Sequence, residues 1–98
     1  MSEKRDAYVQ KLKAKIDGLK AEIDKLSAKA REAKSEKEIE YNDEIESLRE
    51  KRKNLESKVA EIQEASESSW EKLKEGAESS WESLKKKYET TKSKLENK

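Results

Sequence analysis

Carboxylates and amines are the side chains of this sequence that could do chemistry. Its 98 residues include 24 Lys and Arg and 23 Asp and Glu, but no His and no Cys. The chain therefore lacks a side chain that ordinarily titrates near neutral pH and a thiol nucleophile. A carboxyl group becomes a general acid only in a desolvated pocket that raises its pKa, and an extended helix offers no such pocket. We expect a protein that is not an enzyme and that uses no cofactor.

A group of acidic residues near the middle of the chain could suggest a metal site. Its members lie close together at helical spacing: Glu36, Glu40, Asp43 and Glu44. The loops that bind calcium in proteins place their oxygen ligands at a different spacing. A solvated, charged helix face explains these acids better, so we predict no metal site.

Three basic groups raise the question of nucleic-acid binding. They are Lys11, Lys13 and Lys15; Arg49, Lys51, Arg52 and Lys53; and the run Lys85, Lys86 and Lys87. Acidic residues lie close to the first two groups, and neither contains an aromatic residue that could stack on a base. The net charge of the whole chain is only +1, which gives little overall attraction to a phosphate backbone. We therefore predict no nucleic-acid partner.

A stripe of apolar residues toward the C-terminus is the sharpest candidate for a binding surface. Residues 67–77 are nearly repeated in residues 78–88, and at about 100° per residue their apolar members share one narrow helix face. This C-terminal stripe consists of Trp70, Leu73, Ala77, Trp81, Leu84, Tyr88 and Leu95. Such a face either packs on another helix or lies in a membrane surface while lysines reach the head groups. Glu71, Glu78 and Glu82 offset the lysines and favour packing over membrane binding.

The elements that must position these residues are helices with a heptad repeat. Apolar residues follow one another at steps of three and four, which is the a and d pattern of a coiled coil. This interaction seam consists of Val9, Leu12, Ile16, Leu19, Ile23, Leu26, Ile45, Leu48, Leu55, Val59 and Ile62. A narrow seam must be covered by another helix. A homo-oligomer is the simplest cover, and a different protein partner could also supply it.

The sequence divides into two segments, a heptad coiled coil over residues 1–65 and an amphipathic helix with the eleven-residue repeat over residues 66–98. Near residues 35–41 the seam shifts by one position. A continuous helix fits this shift somewhat better than a hairpin, because residues 35–38 include no Gly, Pro or Asn. The predicted fold class is all-α, with a long heptad coiled-coil helix followed by the amphipathic C-terminal helix. The alternative is a three-helix bundle whose core the C-terminal stripe completes.

The distribution of charge favours a particular pairing of these segments. Residues 1–34 contain ten Lys and Arg against six Asp and Glu, a balance of +4, whereas residues 35–66 contain six against ten, a balance of −4. Opposite charges favour packing the first segment against the second, either within one chain or in an antiparallel dimer. Exposed pairs are individually weak, so we expect them to bias orientation more than they stabilise.

Two further features bear on location. No apolar run approaches the roughly 20 residues that a membrane span needs. The N-terminal residues lead into no apolar segment of the kind found in a signal peptide. We expect a cytoplasmic protein.

Ordered stretches along the chain resemble a known family. They are residues 13–17, 21–26 and 39–41 in the heptad segment, and Trp70, Leu73, Gly76, Trp81 and Leu84 in the tail. Together they resemble a family of small bacterial coiled-coil-domain proteins of about this length, which are associated with stress response. The resemblance implies a cytoplasmic accessory role under stress, and it implies no catalytic residues.

Overall fold

Three helices account for almost all of the chain that the structure describes. The structure is a computed structural model that describes residues 3–32 and 37–96. Helix α1 is Glu3–Glu32, α2 is Lys37–Glu64 and α3 is Trp70–Glu96. No strand occurs within the described residues, and the predicted all-α class is confirmed. None of the helices in this part of the chain has an apolar stretch long enough to cross a membrane.

Cross-helix contacts define the directions of the helices. The start of α1 reaches the end of α2, where Arg5 Nη1 donates to the carbonyl of Ala65 over 2.7 Å. The start of α2 meets the end of α3, where Lys94 Nζ donates to Glu44 Oε1 over 2.7 Å. Helix α2 is therefore antiparallel to both neighbours, and α1 and α3 run parallel to each other. The resulting rod measures 52 × 17 × 17 Å, close to the length of one 30-residue helix, about 45 Å.

The three-helix bundle, and not one long coiled-coil helix, is the arrangement that the protein adopts. Residues 33–36 lie outside the described residues, but α1 and α2 lie side by side, so the chain reverses between them. The continuous helix favoured through residues 35–41 is therefore wrong. Folding back covers the seam within one chain, at the small entropic cost of a short connection. It also gives each helix its own heptad register, so the one-residue shift near residues 35–41 requires no local unwinding.

One core runs along the whole rod. All eleven members of the interaction seam are buried, and the most exposed of them, Leu19, is 8% accessible. Residues 1–65 and 66–98 both contribute to this single core, because the buried face of α3 closes it. The middle helix, α2, packs closely on both neighbours. Helices α1 and α3 approach each other at fewer points, and the side chains between them include Tyr8, Trp70, Trp81 and Tyr88.

The charge imbalance between the first two segments is not reflected in an ion pair that joins α1 to α2. Arg49 Nη2 lies 3.5 Å from Asp24 Oδ1. Here the base comes from the acidic segment and the acid from the basic one. Local register, set by the buried seam, therefore decides which charges meet at this point.

Candidate interaction surface on helix α3

The buried face of α3 is the candidate functional surface, because it carries both tryptophans of the chain. In the C-terminal stripe, the buried members are Trp70, Ala77, Leu84, Tyr88 and Leu95, and the half-buried ones are Leu73 and Trp81. Thr91 continues this face and is fully buried. Its hydroxyl donates to the carbonyl of Lys87 over 2.9 Å, so the buried polar group is satisfied within its own helix.

Burial on α3 repeats every seven residues, although the sequence repeats every eleven. The buried positions fall in two series at steps of seven, namely Trp70, Ala77, Leu84 and Thr91, and the half-buried Trp81 followed by Tyr88 and Leu95. A third series, Leu73, Ser80 and Lys87, is half-buried throughout. Lys74 occupies the position at which the second series would have begun. A seven-residue period matches that of α1 and α2, so the side chains of the three helices can interdigitate along the rod.

An aromatic cluster joins the starts of α1 and α3. The rings of Tyr8 and Trp70 are 6.0 Å apart and inclined at 42°, which is a favourable tilted arrangement. Lys74 Nζ lies 5.2 Å from the ring centre of Tyr8 and 6.0 Å from that of Trp70. The lysine at an otherwise apolar position thus makes cation–π contacts with both rings.

Tyr8 also borders a small cavity of about 60 Å³ between α1 and α3, with Trp81 and Glu78 on the opposite wall. Its hydroxyl is buried and has no hydrogen-bond partner among the described residues. Burial, and secondarily the charge of Glu78, raises the pKa of Tyr8. Sequence reasoning missed this residue, although its position beside Val9, at the edge of the interaction seam, is a signal that could have indicated it.

Farther along the same interface, Tyr88 joins α3 to α1. Its hydroxyl donates to Glu22 Oε2 over 3.2 Å. Burial is the main reason that the pKa of Tyr88 is raised, and the hydrogen bond to Glu22 adds to it because a neutral hydroxyl is needed as donor. Between the two ends, Lys15 Nζ lies 5.9 Å from the ring centre of Trp81.

Glu44 joins α3 to α2 through two lysines. Its Oε1 accepts from Lys94 Nζ at 2.7 Å and lies 3.8 Å from Lys87 Nζ. The Glu44 side chain is only 12% exposed. The hydrogen bond and charge of Glu44 raise the pKa of Lys94. The Tyr41 hydroxyl also contacts the carbonyl of Lys94, at 3.4 Å.

Tyr41 is a core residue that the predicted seam omitted. It is 5% exposed and lies four residues before Ile45, so extending the heptad register of α2 by one step would have found it. By contrast, nothing in the sequence indicates that Glu44 meets Lys94, because that contact depends on how α2 and α3 align in space.

The lysines of the second half of α3 flank its buried face on both sides. At about 100° per residue, Lys85 and Lys92 lie about 70° to 90° to one side of the centre of that face, and Lys87 and Lys94 lie equally far to the other. The acids of this half are farther round, toward the polar side: Glu82, Glu89 and Glu96. Lys85, Lys92 and Lys94 are exposed and Lys87 is half-buried, and both Lys87 and Lys94 contact Glu44.

The acidic group that could have suggested a metal site is divided in the structure. Glu36 lies outside the described residues, Glu40 and Asp43 are exposed, and Glu44 is paired with lysines. Across residues 3–32 and 37–96, no three potential metal ligands lie together. Glu44 is therefore the member of this group that docks α3.

Comparisons of the chain with family models, with curated proteins and with solved structures give no match. The resemblance to small bacterial coiled-coil proteins stays a prediction.

Proposed function

We propose that this chain is a non-enzymatic structural and interaction protein that works through helix pairing and associates with itself in the cytoplasm under stress. One observation carries the proposal: the apolar side chains lie on three heptad faces, each of a form that pairs with another helix. The sequence, which has neither His nor Cys, supports a non-enzymatic role. The resemblance to stress-associated coiled-coil proteins supports the setting.

Self-association would proceed by exchange of helices, because the seam is already covered within one chain. Helices α1 and α2 pack antiparallel within one chain. If they joined end to end as one continuous helix, they would separate, and a second copy in the same state could supply the antiparallel neighbour of each. The connecting sequence, residues 33–36, reads Ala-Lys-Ser-Glu and contains no Gly or Pro, so a helical connection costs little in propensity. Two copies joined in this way would reproduce the seam contacts between chains, as domain-swapped dimers do.

Light scattering combined with small-angle X-ray scattering over a concentration series tests self-association. We expect the mass to rise from 11.4 kDa toward twice that value, with a particle clearly longer than 52 Å. Replacing Lys34→Asn and Ser35→Gly together favours a turn and should shift the protein toward monomer. The matched pair Lys34→Gln and Ser35→Ala should not. A monomeric mass for the natural protein at every concentration would overturn self-association.

A second candidate function, reversible binding of a membrane surface through α3, is favoured by the lysines that flank its apolar face. On a helix lying in a membrane surface, lysines at these positions can extend to the head groups while the apolar face enters the acyl boundary. The acids of the same half lie farther from the apolar face, where they would point toward water. This arrangement is suited to an anionic surface once α3 has left the bundle.

Co-sedimentation with vesicles made of equal parts phosphatidylcholine and phosphatidylglycerol tests the second function. Binding should weaken when Lys85→Gln and Lys92→Gln remove two flanking charges. It should weaken less for the pair Lys72→Gln and Lys86→Gln, which removes the same charge from the polar side. Equal losses would mean that net charge alone drives binding, and no binding of the natural protein would exclude this function.

A further inference from the structure

Glu44 occupies a position that an anionic ligand of α3 would need. Lys87 and Lys94 form one of the two lysine flanks of α3, and both extend to the same Glu44 carboxylate, at 3.8 and 2.7 Å. The opposite flank, Lys85 and Lys92, is exposed to solvent. Lys92 Nζ lies 3.8 Å from Glu96 Oε1 on the same helix. The closed bundle therefore holds the first flank against a carboxylate of α2, whereas the ion pair of the second flank lies within α3.

The pairing of Glu44 with the two lysines differs from a surface ion pair because the Glu44 side chain is largely shielded from water. Its side chain is 12% exposed, and its second oxygen, Oε2, is buried with no hydrogen-bond partner among the described residues. A buried carboxylate has lost most of its hydration, so it depends on the two lysines for compensation. Removing α3 would return Glu44 to water and release both lysines from it at the same time.

A phosphate group at a lipid surface offers these lysines the same chemistry that Glu44 does. Each lysine near an anionic membrane is attracted by the negative charge of its surface. Lys87 and Lys94 contribute less of this attraction while the Glu44 carboxylate offsets their charge. The carboxylate and the lipid surface thus compete for one pair of amines, and the result decides whether the apolar face of α3 is buried in the bundle or in the membrane.

We propose that Glu44 is an internal competitor of the anionic lipid surface bound by α3, and that it keeps the helix in the bundle by occupying Lys87 and Lys94. This inference rests on the second function proposed above. It adds a residue that controls binding and a lipid class, anionic phospholipid, whose charge displaces the carboxylate.

Substitution of Glu44 tests the competition. Glu44→Gln removes the charge but keeps the size of the side chain, and it should bind vesicles of equal parts phosphatidylcholine and phosphatidylglycerol about tenfold more tightly than the natural protein. Glu44→Asp keeps the charge but shortens the reach to both lysines, so it should bind more tightly by a smaller factor. Vesicles of phosphatidylcholine alone should bind none of these proteins appreciably.

Glu50→Gln is the matched control, since it removes one exposed acid from the same helix. If Glu50→Gln tightens binding as much as Glu44→Gln, net charge explains the effect and the inference is wrong. If the natural protein binds anionic vesicles but neither Glu44 variant binds more tightly, the inference is wrong while the membrane function stands. If no variant binds, both fail. Should Glu44→Gln lose its helical circular dichroism without lipid, Glu44→Asp decides the question.

Discussion

Arg5, a residue of α1, caps the C-terminal end of α2. Helix α2 has no basic residue in its last turn, so nothing on the helix itself offsets the partial negative charge of its final carbonyls. Arg5, from the first turns of α1, donates to the carbonyl of Ala65, just beyond the end of α2. One charged hydrogen bond thus caps α2 and joins the start of α1 to the end of α2.

Replacement of Arg5 should show the strength of this contact. Arg5→Met keeps an apolar stem but removes the donor, and we expect the free energy of unfolding to fall by about 1 to 2 kcal/mol. Lys4→Met removes the same charge from an exposed neighbour and should change it by less than about 0.5 kcal/mol. Urea denaturation followed by circular dichroism measures both. Equal effects would mean that charge, and not the cap, matters.

At the scale of a single helix, the packed face of α3 holds one tryptophan that is buried and one that is half-buried. Trp70 is 5% exposed and lies within the core, whereas Trp81 is half-buried beside Lys15. The two residues are equivalent in the eleven-residue sequence repeat, but the heptad register of the bundle gives them different environments.

These environments predict unequal costs of truncation. Trp70→Ala should lower the free energy of unfolding by about 3 to 5 kcal/mol, the range for a buried aromatic. Trp81→Ala should cost about half as much, because less of its surface leaves water on folding. Far-ultraviolet circular dichroism during urea denaturation is the suitable readout, since each variant loses a fluorophore. If neither substitution destabilises the protein, the stripe does not pack as described.

The apolar faces of the helices could be predicted from the sequence, but the arrangement of the helices in space could not. Apolar spacing is a local property, so the seam and the C-terminal stripe could be read directly from residue positions. The reversal after α1 could not, because residues 35–38 contain no Gly, Pro or Asn and only the need to cover the seam favours it. The docking of Lys94 on Glu44 was also hidden, since the two residues are fifty positions apart and meet only when α2 and α3 are aligned.

At the scale of the whole molecule, three titratable groups make the folded protein less stable at alkaline pH. The pKa values of Tyr8 and Tyr88 are raised above 10.0 and that of Lys94 above 10.5 in the folded protein. Since the folded state holds these protons more tightly than the unfolded chain does, their contribution is complete below the unfolded pKa values and is lost as pH rises through the folded ones. Lys94 is half exposed, so solvent screening reduces its share.

Thermal denaturation between about pH 8 and about pH 11 should show this dependence. We expect the melting temperature to change little up to about pH 9 and then to fall steeply above about pH 10. Tyr88→Phe lacks one of the raised groups, so its melting temperature should fall less over the alkaline range, even though it starts lower through the loss of the bond to Glu22. Parallel curves for the two proteins would contradict the assigned role of Tyr88.

The order of helices in the rod has a consequence for how long an opened molecule lasts. Helix α2 lies between its two sequence neighbours, so most helix pairing joins segments that follow each other directly along the chain. Proteins with such local topology typically refold in microseconds to milliseconds. A detached α3 would therefore return to the hairpin of α1 and α2 almost at once. An open form therefore persists only when a binding surface captures the released face of α3 before the helix returns. A surface that is weakly binding or far away would rarely do so.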